Sequence, residues 1–207
     1  MNFTDDDAAK LLKIIKARRD VRGNRFINKP IEEEKLSLIL EAGVSAPSVG
    51  YSQPWKFVII KDEKIKNSLV ENFTQENTKA KEIFKERTLY NSLKLEGIKE
   101  APINIAVLYE PKEEAVLGMT SMQKMGEYSV VCAVQNMWLM ARALNIGIGW
   151  VSILDEHDVL ETLNAPKGSQ LIAYLCVGYV DKFYEESELK LLGWEKEKQL
   201  SQLIHYL

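Results

Sequence analysis

Amphipathic stretches with a helical period alternate along this chain with short, almost wholly apolar runs. From Asp5 to Arg19, the residues Ala8, Leu11, Leu12 and Ile15 recur on one face, and Thr4 or Asp5 can cap the first turn, so a helix is expected. A second helix opens at Pro30, whose fixed φ suits a first helical turn. Glu32, Glu33 and Glu34 complement the positive end of its dipole, and Leu36, Ile39, Leu40 and Gly43 share a face. Pro47 disfavours helical backbone just before it, so this helix is expected to stop near Ala46. Trp55 to Lys61 (WKFVIIK) and Ile103 to Tyr109 (INIAVLY) read as strands, and Asp62 to Phe73 as a helix. Thr74 to Leu95 is rich in Lys and Glu with scattered apolar residues, and reads as a mobile helical flap outside the core.

Glu127 to Leu144 is the most apolar helical stretch. Val130, Val131, Val134, Met137, Trp138, Met140 and Ala141 cover more than one of its faces, which places it centrally. Gly147 to Leu154 reads as a strand, Glu156 to Leu163 as a short helix and Leu171 to Val180 as a long strand. Asp181 to Leu207 is charged, with isolated Leu and Trp residues, and has no core of its own. Residues 1–180 are therefore expected to form a single domain, and residues 181–207 an arm that lies on a partner. Two helices precede the first strand and break strict βα alternation, which favours an α+β layered fold over a doubly wound one.

With 207 residues, 46% of them hydrophobic, the chain has enough apolar residues for a real core. A net charge of −3 argues against nucleic-acid binding by bulk electrostatics. No apolar run approaches the roughly 18–20 residues of a membrane span. Met1 to Lys10 is acidic where a secretory signal would be basic, so a cytoplasmic location is expected. Cys132 and Cys176 lie far apart in apolar segments and read as two reduced core thiols. The two histidines, His157 and His205, form no ligand-spaced pair, so no metal site is expected.

Three clusters carry candidate chemistry. Arg18-Arg19-Asp20-Val21-Arg22 packs three guanidiniums and one carboxylate into five residues. Guanidiniums match phosphate oxygens or an anionic ring edge. Cations are also favoured at a helix C-terminus, with Asp20 then a local ion-pair partner. Ala46 to Trp55 (APSVGYSQPW) offers small residues for close backbone approach, Ser and Gln for neutral hydrogen bonds and Trp55 as an aromatic wall. The same residues also make an ordinary turn. Gly147-Ile148-Gly149-Trp150-Val151-Ser152 has Ser152 where a dinucleotide fingerprint needs glycine, and its glycines enter a strand, so a dinucleotide site is rejected. There is no Walker-type loop.

Taken together, the arginine motif, Pro47-Ser48 with Gln53-Pro54-Trp55, the central apolar helix and Gly147-x-Gly149-Trp150 resemble the nitroreductase-like flavoprotein superfamily. Leu93 to Ile98, Tyr128 to Asn136 and Leu175 to Asp181 extend the likeness. Within the superfamily the chain is most similar to the 5,6-dimethylbenzimidazole synthase group, which breaks down reduced flavin with oxygen to make the lower ligand of vitamin B12. Ordinary nitroreductases carry Ser where this chain has Asp20, and Asn where it has Tyr51. The resemblance implies a mixed sheet flanked by helices, and a homodimer with exchanged arms and FMN at the subunit interface. It implies FMN contacts from Arg18, Arg19, Arg22, Ser48, Gln53, Pro54, Trp55, Leu95, Gly149 and Trp150, and roles in ring breakdown for Asp20 and Ser152. One departure is that Gly193-Trp194 is followed by Glu195-Lys196-Glu197-Lys198, where the group often has arginines.

In that reading reduced FMN is the substrate and molecular oxygen the co-substrate, with electrons supplied by a separate flavin reductase. The arginines hold the phosphate and the anionic ring, Asp20 takes protons from the ribityl chain, and Ser152 donates a hydrogen bond near the reacting ring. The flap excludes water. The alternatives are an NAD(P)H-dependent nitroreductase or flavin reductase that retains FMN, and a non-catalytic flavin-binding protein.

Overall fold

In the computed structural model, which describes residues 1–207, four strands form: β1 (Trp55–Ile60), β2 (Ile103–Tyr109), β3 (Ile146–Val151) and β4 (Gln170–Tyr179). They make one sheet in the order β1-β2-β4-β3, every pair antiparallel. A single parallel bridge from Asp20 to Ile148 continues the sheet past β3, and its mixed character rests on that bridge. Strand β2 is central and buried at every residue, hence its run of apolar residues, broken only by Asn104, whose side-chain N–H donates to the Ile98 carbonyl at 2.8 Å. Side chains alternate across a strand, so Ile103, Ile105 and Val107 enter one core while Ala106 and Leu108 enter the other.

The helices are α1 (Asp5–Ala17), α2 (Glu33–Val44), α3 (Glu63–Ile83), α4 (Met125–Ala143), α5 (Glu156–Thr162) and α6 (Glu188–Leu191). Val130, Val134, Met137, Trp138 and Ala141 of α4 fill the larger core with Ile105, Val107, Leu175 and Val177. Leu69 and Phe73 of α3 and Val159 of α5 fill the second, against Leu108, Tyr174 and Cys176. Each such aliphatic side chain contributes about 1.5–3 kcal/mol on burial. No helix is long and apolar enough to cross a membrane.

Several expectations need correction. Helix α1 ends at Ala17, because Arg18 turns to extended backbone (φ −62°, ψ 135°). None of its residues is buried, and Leu11, Leu12 and Ile15 are 54%, 50% and 43% exposed, so its apolar face has no cover within one chain. The flap is not a separate element: α3 continues through Thr74 to Ile83, because Lys, Glu and Ala sustain a helix after its apolar stripe has ended. Beyond it Tyr90 is buried and stacks on Phe84 at 4.8 Å, with Trp194 edge-on to Phe84 at 5.6 Å. The segment is thus tied to the tail by an aromatic cluster. The two cysteines are not both core thiols. Cys176 is buried, whereas Cys132 is exposed, one position beside the buried Ala133 and Val134 stripe of α4. Strand β3 stops at Val151, leaving Ser152 in the connection to α5, which Asp155 caps by accepting from the Asp158 N–H.

The tail lies against its own chain. Arg25 pairs with Asp181 at 3.0 Å, and Arg87 donates to the Trp194 carbonyl at 2.9 Å. Lys190 bridges Glu186 and Glu197 at 2.8 and 2.7 Å, so its one charge is shared between two tail carboxylates.

Candidate functional site

The site begins with a backbone contact. The Val21 N–H donates to the Ile148 carbonyl at 3.1 Å, and Gly149 lies so close that a Cβ there would fall 2.0 Å from the Val21 oxygen. Only glycine lets the Arg18 to Arg22 segment lie along β3. That register places the Asp20 Oδ1 2.9 Å from the Trp150 N–H, which donates to it. The other carboxylate oxygen pairs with Arg22. Arg22 also donates to the Leu95 carbonyl at 3.0 Å and the Trp150 carbonyl at 3.1 Å. One guanidinium therefore joins the arginine motif, the Leu93 to Ile98 stretch and β3.

Trp138 supports this cluster from α4. Its indole N–H donates to the Arg19 carbonyl at 3.1 Å, its ring lies 4.8 Å from the Arg18 guanidinium carbon, and the Trp150 ring is 6.2 Å away. The sequence reading placed Trp138 only in the core. The signal available was the indole N–H, which needs an acceptor on a buried helix. Arg19 turns the other way and donates to the carbonyls of Lys16 and Arg18, both at 2.7 Å, and of Glu185.

Burial raises the pKa of Asp20 above the usual carboxylate value, against the lowering pull of Arg22, the Trp150 N–H and Arg18; Glu188 adds a further upward push. The side chain still keeps 32% of its surface exposed, so solvent moderates the shift and protons can exchange. Arg19, Asp20, Arg22 and Leu95 share a cavity of about 140 Å³ roofed by Ser187, Glu188, Leu189 and Leu192. Ligand pockets occupy roughly 300–1,000 Å³, so the tail segment around α6 has to move aside before a flavin-sized molecule enters. Ser152 is exposed just past β3, two residues beyond Trp150, and is not part of this cavity.

The second group sits at the other edge of the sheet. The Ser48 Oγ accepts from the Gln53 N–H at 3.1 Å and closes a tight turn. Gly50, Tyr51 and Gln53 there have φ of 55°, 51° and 48°. Two non-glycine residues in this region store local strain of the kind found at ligand-binding loops. The Val49 N–H donates to the Ser129 Oγ of α4 at 3.1 Å, anchoring the turn. Pro54 is buried, and its carbonyl accepts from the Glu110 N–H at 2.8 Å, which fixes Trp55 at the start of β1.

The structure thus brings Arg18, Arg19, Asp20, Arg22, Leu95, Gly149 and Trp150 together, with Ser152 at the margin. It places Ser48, Gln53, Pro54 and Trp55 elsewhere. Strands β2 and β4 separate the two edges, a lateral offset of about 14 Å at the usual strand spacing. Helix α4 gives a second ruler: from Ser129 at one group to Trp138 at the other is about 13 Å at helical rise. Away from both, His157, Asp158 and Glu161 gather on exposed α5 with ligand atoms within 4.8 Å of one another, a grouping that histidine spacing alone does not reveal.

Comparison with known proteins places this geometry in context. The model described as Nitroreductase family matches residues 15–179. A 5,6-dimethylbenzimidazole synthase of Rhodospirillum rubrum is 39% identical, over 87% of this chain and 87% of that protein. One of Rhodobacter capsulatus is 33% identical, over 95% of this chain and 96% of that protein. Among solved structures, oxidized iodotyrosine deiodinase bound to FMN and 3-iodo-L-tyrosine matches with a TM-score of 0.67 at 27% identity, covering 84% of this chain and 91% of that one.

Proposed function

The chain belongs to the nitroreductase family, and from that premise we propose that it converts reduced FMN and molecular oxygen to 5,6-dimethylbenzimidazole. The observation that carries the reading is Asp20, a carboxylate set by Gly149 against the Trp150 N–H inside an arginine cluster, with a raised proton affinity. A flavin that only shuttles electrons has no need of a base there. The synthase relatives support the same choice.

The residues fit FMN. Arg18 stacks over Trp138 and has no carboxylate within ion-pair distance, so its charge is available to a phosphate or an anionic ring. Arg22 already lies beside Asp20, and Arg19 reaches the flavin group once it releases the Glu185 carbonyl. Leu95, Gly149 and Trp150 supply backbone beside the ring. Ser48, Gln53, Pro54 and Trp55 supply the wall opposite. The bound reduced flavin brings the electrons and the carbon skeleton of the product. The chain stabilises negative charge through the arginines, accepts a ribityl proton at an Asp20 carboxylate oxygen, and donates a hydrogen bond from Ser152. The tail segment around α6 excludes water. A separate flavin reductase supplies reduced FMN.

The deciding experiment incubates the protein with reduced FMN without oxygen, admits air and reads the mixture by mass spectrometry. Dimethylbenzimidazole is the expected product. Oxidised FMN and hydrogen peroxide alone would move the function to a flavin reductase or nitroreductase, and bound flavin without turnover to a binding protein.

The same reading includes a homodimer, with residues 1–180 as the flavin-binding domain and residues 181–207 as an arm, of which the exposed part from Leu200 onward reaches the other subunit while Arg25 and Arg87 hold Asp181 and Trp194 on their own chain. The two residue groups on opposite sheet edges support it, since two copies can juxtapose them. So does a groove of about 500 Å³ with Leu11, Ile14, Leu38, Leu139 and Met140 in its lining. Leu200, Leu203 and Tyr206 of the tail are 72%, 62% and 87% exposed, more apolar surface than a solvated tail carries. Light scattering at micromolar concentration is expected to give twice the 23.6 kDa chain mass. A monomer would contradict the assembly.

A further inference from the structure

We propose that Glu96 is a positioning residue for Asp20: its buried carboxylate closes a backbone turn whose carbonyl holds Arg22, and Arg22 holds the Asp20 carboxylate. The part this plays in the reaction rests on the synthase reading; the chain of contacts does not. Glu96 is only 9% exposed. Its Oε2 accepts from the buried Ile98 N–H at 2.8 Å, the only acceptor that N–H has, and its Oε1 pairs with Lys94. Lys94 also pairs with Glu100 at 2.9 Å. The closed turn faces the arginine segment. The Gly23 N–H donates to the Glu96 carbonyl at 2.8 Å, and Arg22 donates to the Leu95 carbonyl at 3.0 Å. A Cβ on Gly97 would lie 3.0 Å from the Gly23 nitrogen, and one on Gly23 would lie 2.6 Å from the Glu100 carboxylate, so the two stretches are in close contact. The segment that carries Asp20 is therefore gripped from two sides, by β3 at Gly149 and by this turn.

Two properties of Glu96 bear on the turn, its charge and its acceptor oxygen. The Lys94 side chain is 37% exposed and keeps Glu100 when Glu96 is neutral, so solvent and the second carboxylate replace the lost charge. The Ile98 N–H has no such reserve. A buried donor without an acceptor carries its full desolvation cost, so a chain lacking the Glu96 oxygen opens the turn toward water and displaces the Leu95 carbonyl. Arg22 is then left with the Trp150 carbonyl, and its hold on Asp20 loosens.

Asp20 is sensitive to that loss. Burial raises its pKa, Arg22 is the strongest pull against burial, ahead of the Trp150 N–H and Arg18, and Glu188 of α6 pushes upward. Cys176 of β4 meets the same charges. Burial raises the pKa of its thiol and the Gly97 backbone lowers it, Glu96 then pushes it up, Arg22 pulls it down and Asp20 pushes it up. Glu96, Arg22 and Asp20 thus face one buried sulfur. A loosened Arg22 leaves Asp20 holding its proton to higher pH and out of register with the ribityl chain.

The test uses the full-length protein saturated with FMN and follows the Trp150 backbone amide by NMR as pH is varied, since that N–H donates to Asp20 and reports its ionisation. Glu96→Met keeps the side-chain length without an acceptor, and Glu96→Gln keeps an acceptor oxygen without the charge. In Glu96→Met the midpoint is expected to rise by about half a pH unit or more, part of the roughly 1–3 units a close opposite charge supplies. Product per bound flavin should fall by about tenfold or more, with KM for reduced FMN changing less than kcat. Glu96→Gln, which retains the turn, is expected to recover most of both. Added to Asp20→Asn, Glu96→Met should cost little further product, because the two act through one group. An unmoved midpoint in Glu96→Met would overturn the proposal. So would a Glu96→Gln variant as impaired as Glu96→Met, or losses that multiply in the double variant. If the parent protein makes no dimethylbenzimidazole, the synthase reading fails, and the NMR midpoints still decide whether Glu96 places Asp20.

Discussion

Asp20→Asn is expected to bind reduced FMN and to consume oxygen while dimethylbenzimidazole formation falls by about 10²–10⁴-fold, the usual loss for a removed general base. Hydrogen peroxide and intact oxidised FMN should appear in its place. The substitution keeps an oxygen that can accept from the Trp150 N–H, now 2.9 Å from the Asp20 Oδ1. Arg22 retains the Leu95 and Trp150 carbonyls, so it is not left without partners. What the variant lacks is basicity.

Stability separates this role from a structural one. The Asp20 pKa is raised in the folded state, chiefly by burial, above a reference of 3.8. Its neutral form is therefore the one folding favours. That advantage is complete below the reference value and is lost as pH rises through the raised one, so near pH 7 the ionised carboxylate costs stability. Asp20→Asn should then melt at the same temperature as the parent or higher at pH 7, with the difference closing near pH 4. A carboxylate kept to hold its neighbouring arginines would act in the opposite sense. A lower melting temperature at pH 7 with unchanged product per bound flavin would make Asp20 a structural partner. The activity itself should fall with acidification through the raised pKa, because the protonated carboxyl accepts nothing.

What the sequence disclosed follows from which interactions are local. Largely apolar runs such as INIAVLY marked the strands, and the two opening helices marked the α+β class, because both signals lie within a few neighbouring residues. The continuation of α3 past Phe73 was missed, since apolar periodicity stops there while helix propensity does not. The partners of Arg22 are the carbonyls of Leu95 and Trp150, and any residue supplies a carbonyl. The chemistry at Asp20 was legible as a residue type. Its setting was not, because the Trp150 N–H that fixes it comes from 130 positions away. The separation of the Ser48 to Trp55 turn from the arginine cluster depends on strand order, which no local pattern encodes.

Gly149→Ala is expected to do the largest structural damage of any single methyl group near the site. The added Cβ would lie 2.0 Å from the Val21 carbonyl oxygen, a backbone atom that no rotamer change can remove. The Arg18 to Arg22 segment must then leave β3, breaking the 3.1 Å bond from the Val21 N–H to Ile148 and the 2.9 Å bond from the Trp150 N–H to Asp20. Overpacking costs about 1–3 kcal/mol and the lost bonds about 1–2 more, so a destabilisation of roughly 2–5 kcal/mol is expected. For a chain of this size that lowers the melting temperature by roughly 4–20 °C. FMN affinity should fall with it, since Asp20 and Arg22 lose their common register. Gly147→Ala is the internal control. Its Cβ would meet the side chains of Val180 at 2.7 Å and Val21 at 3.0 Å, which can shift, so its loss should be distinctly smaller. Thermal melts and FMN titrations of the two variants side by side decide the matter. If Gly149→Ala melts within 2 °C of the parent (roughly the effect of half a kcal/mol) and binds FMN equally, the contact of Val21 with β3 does not set the site.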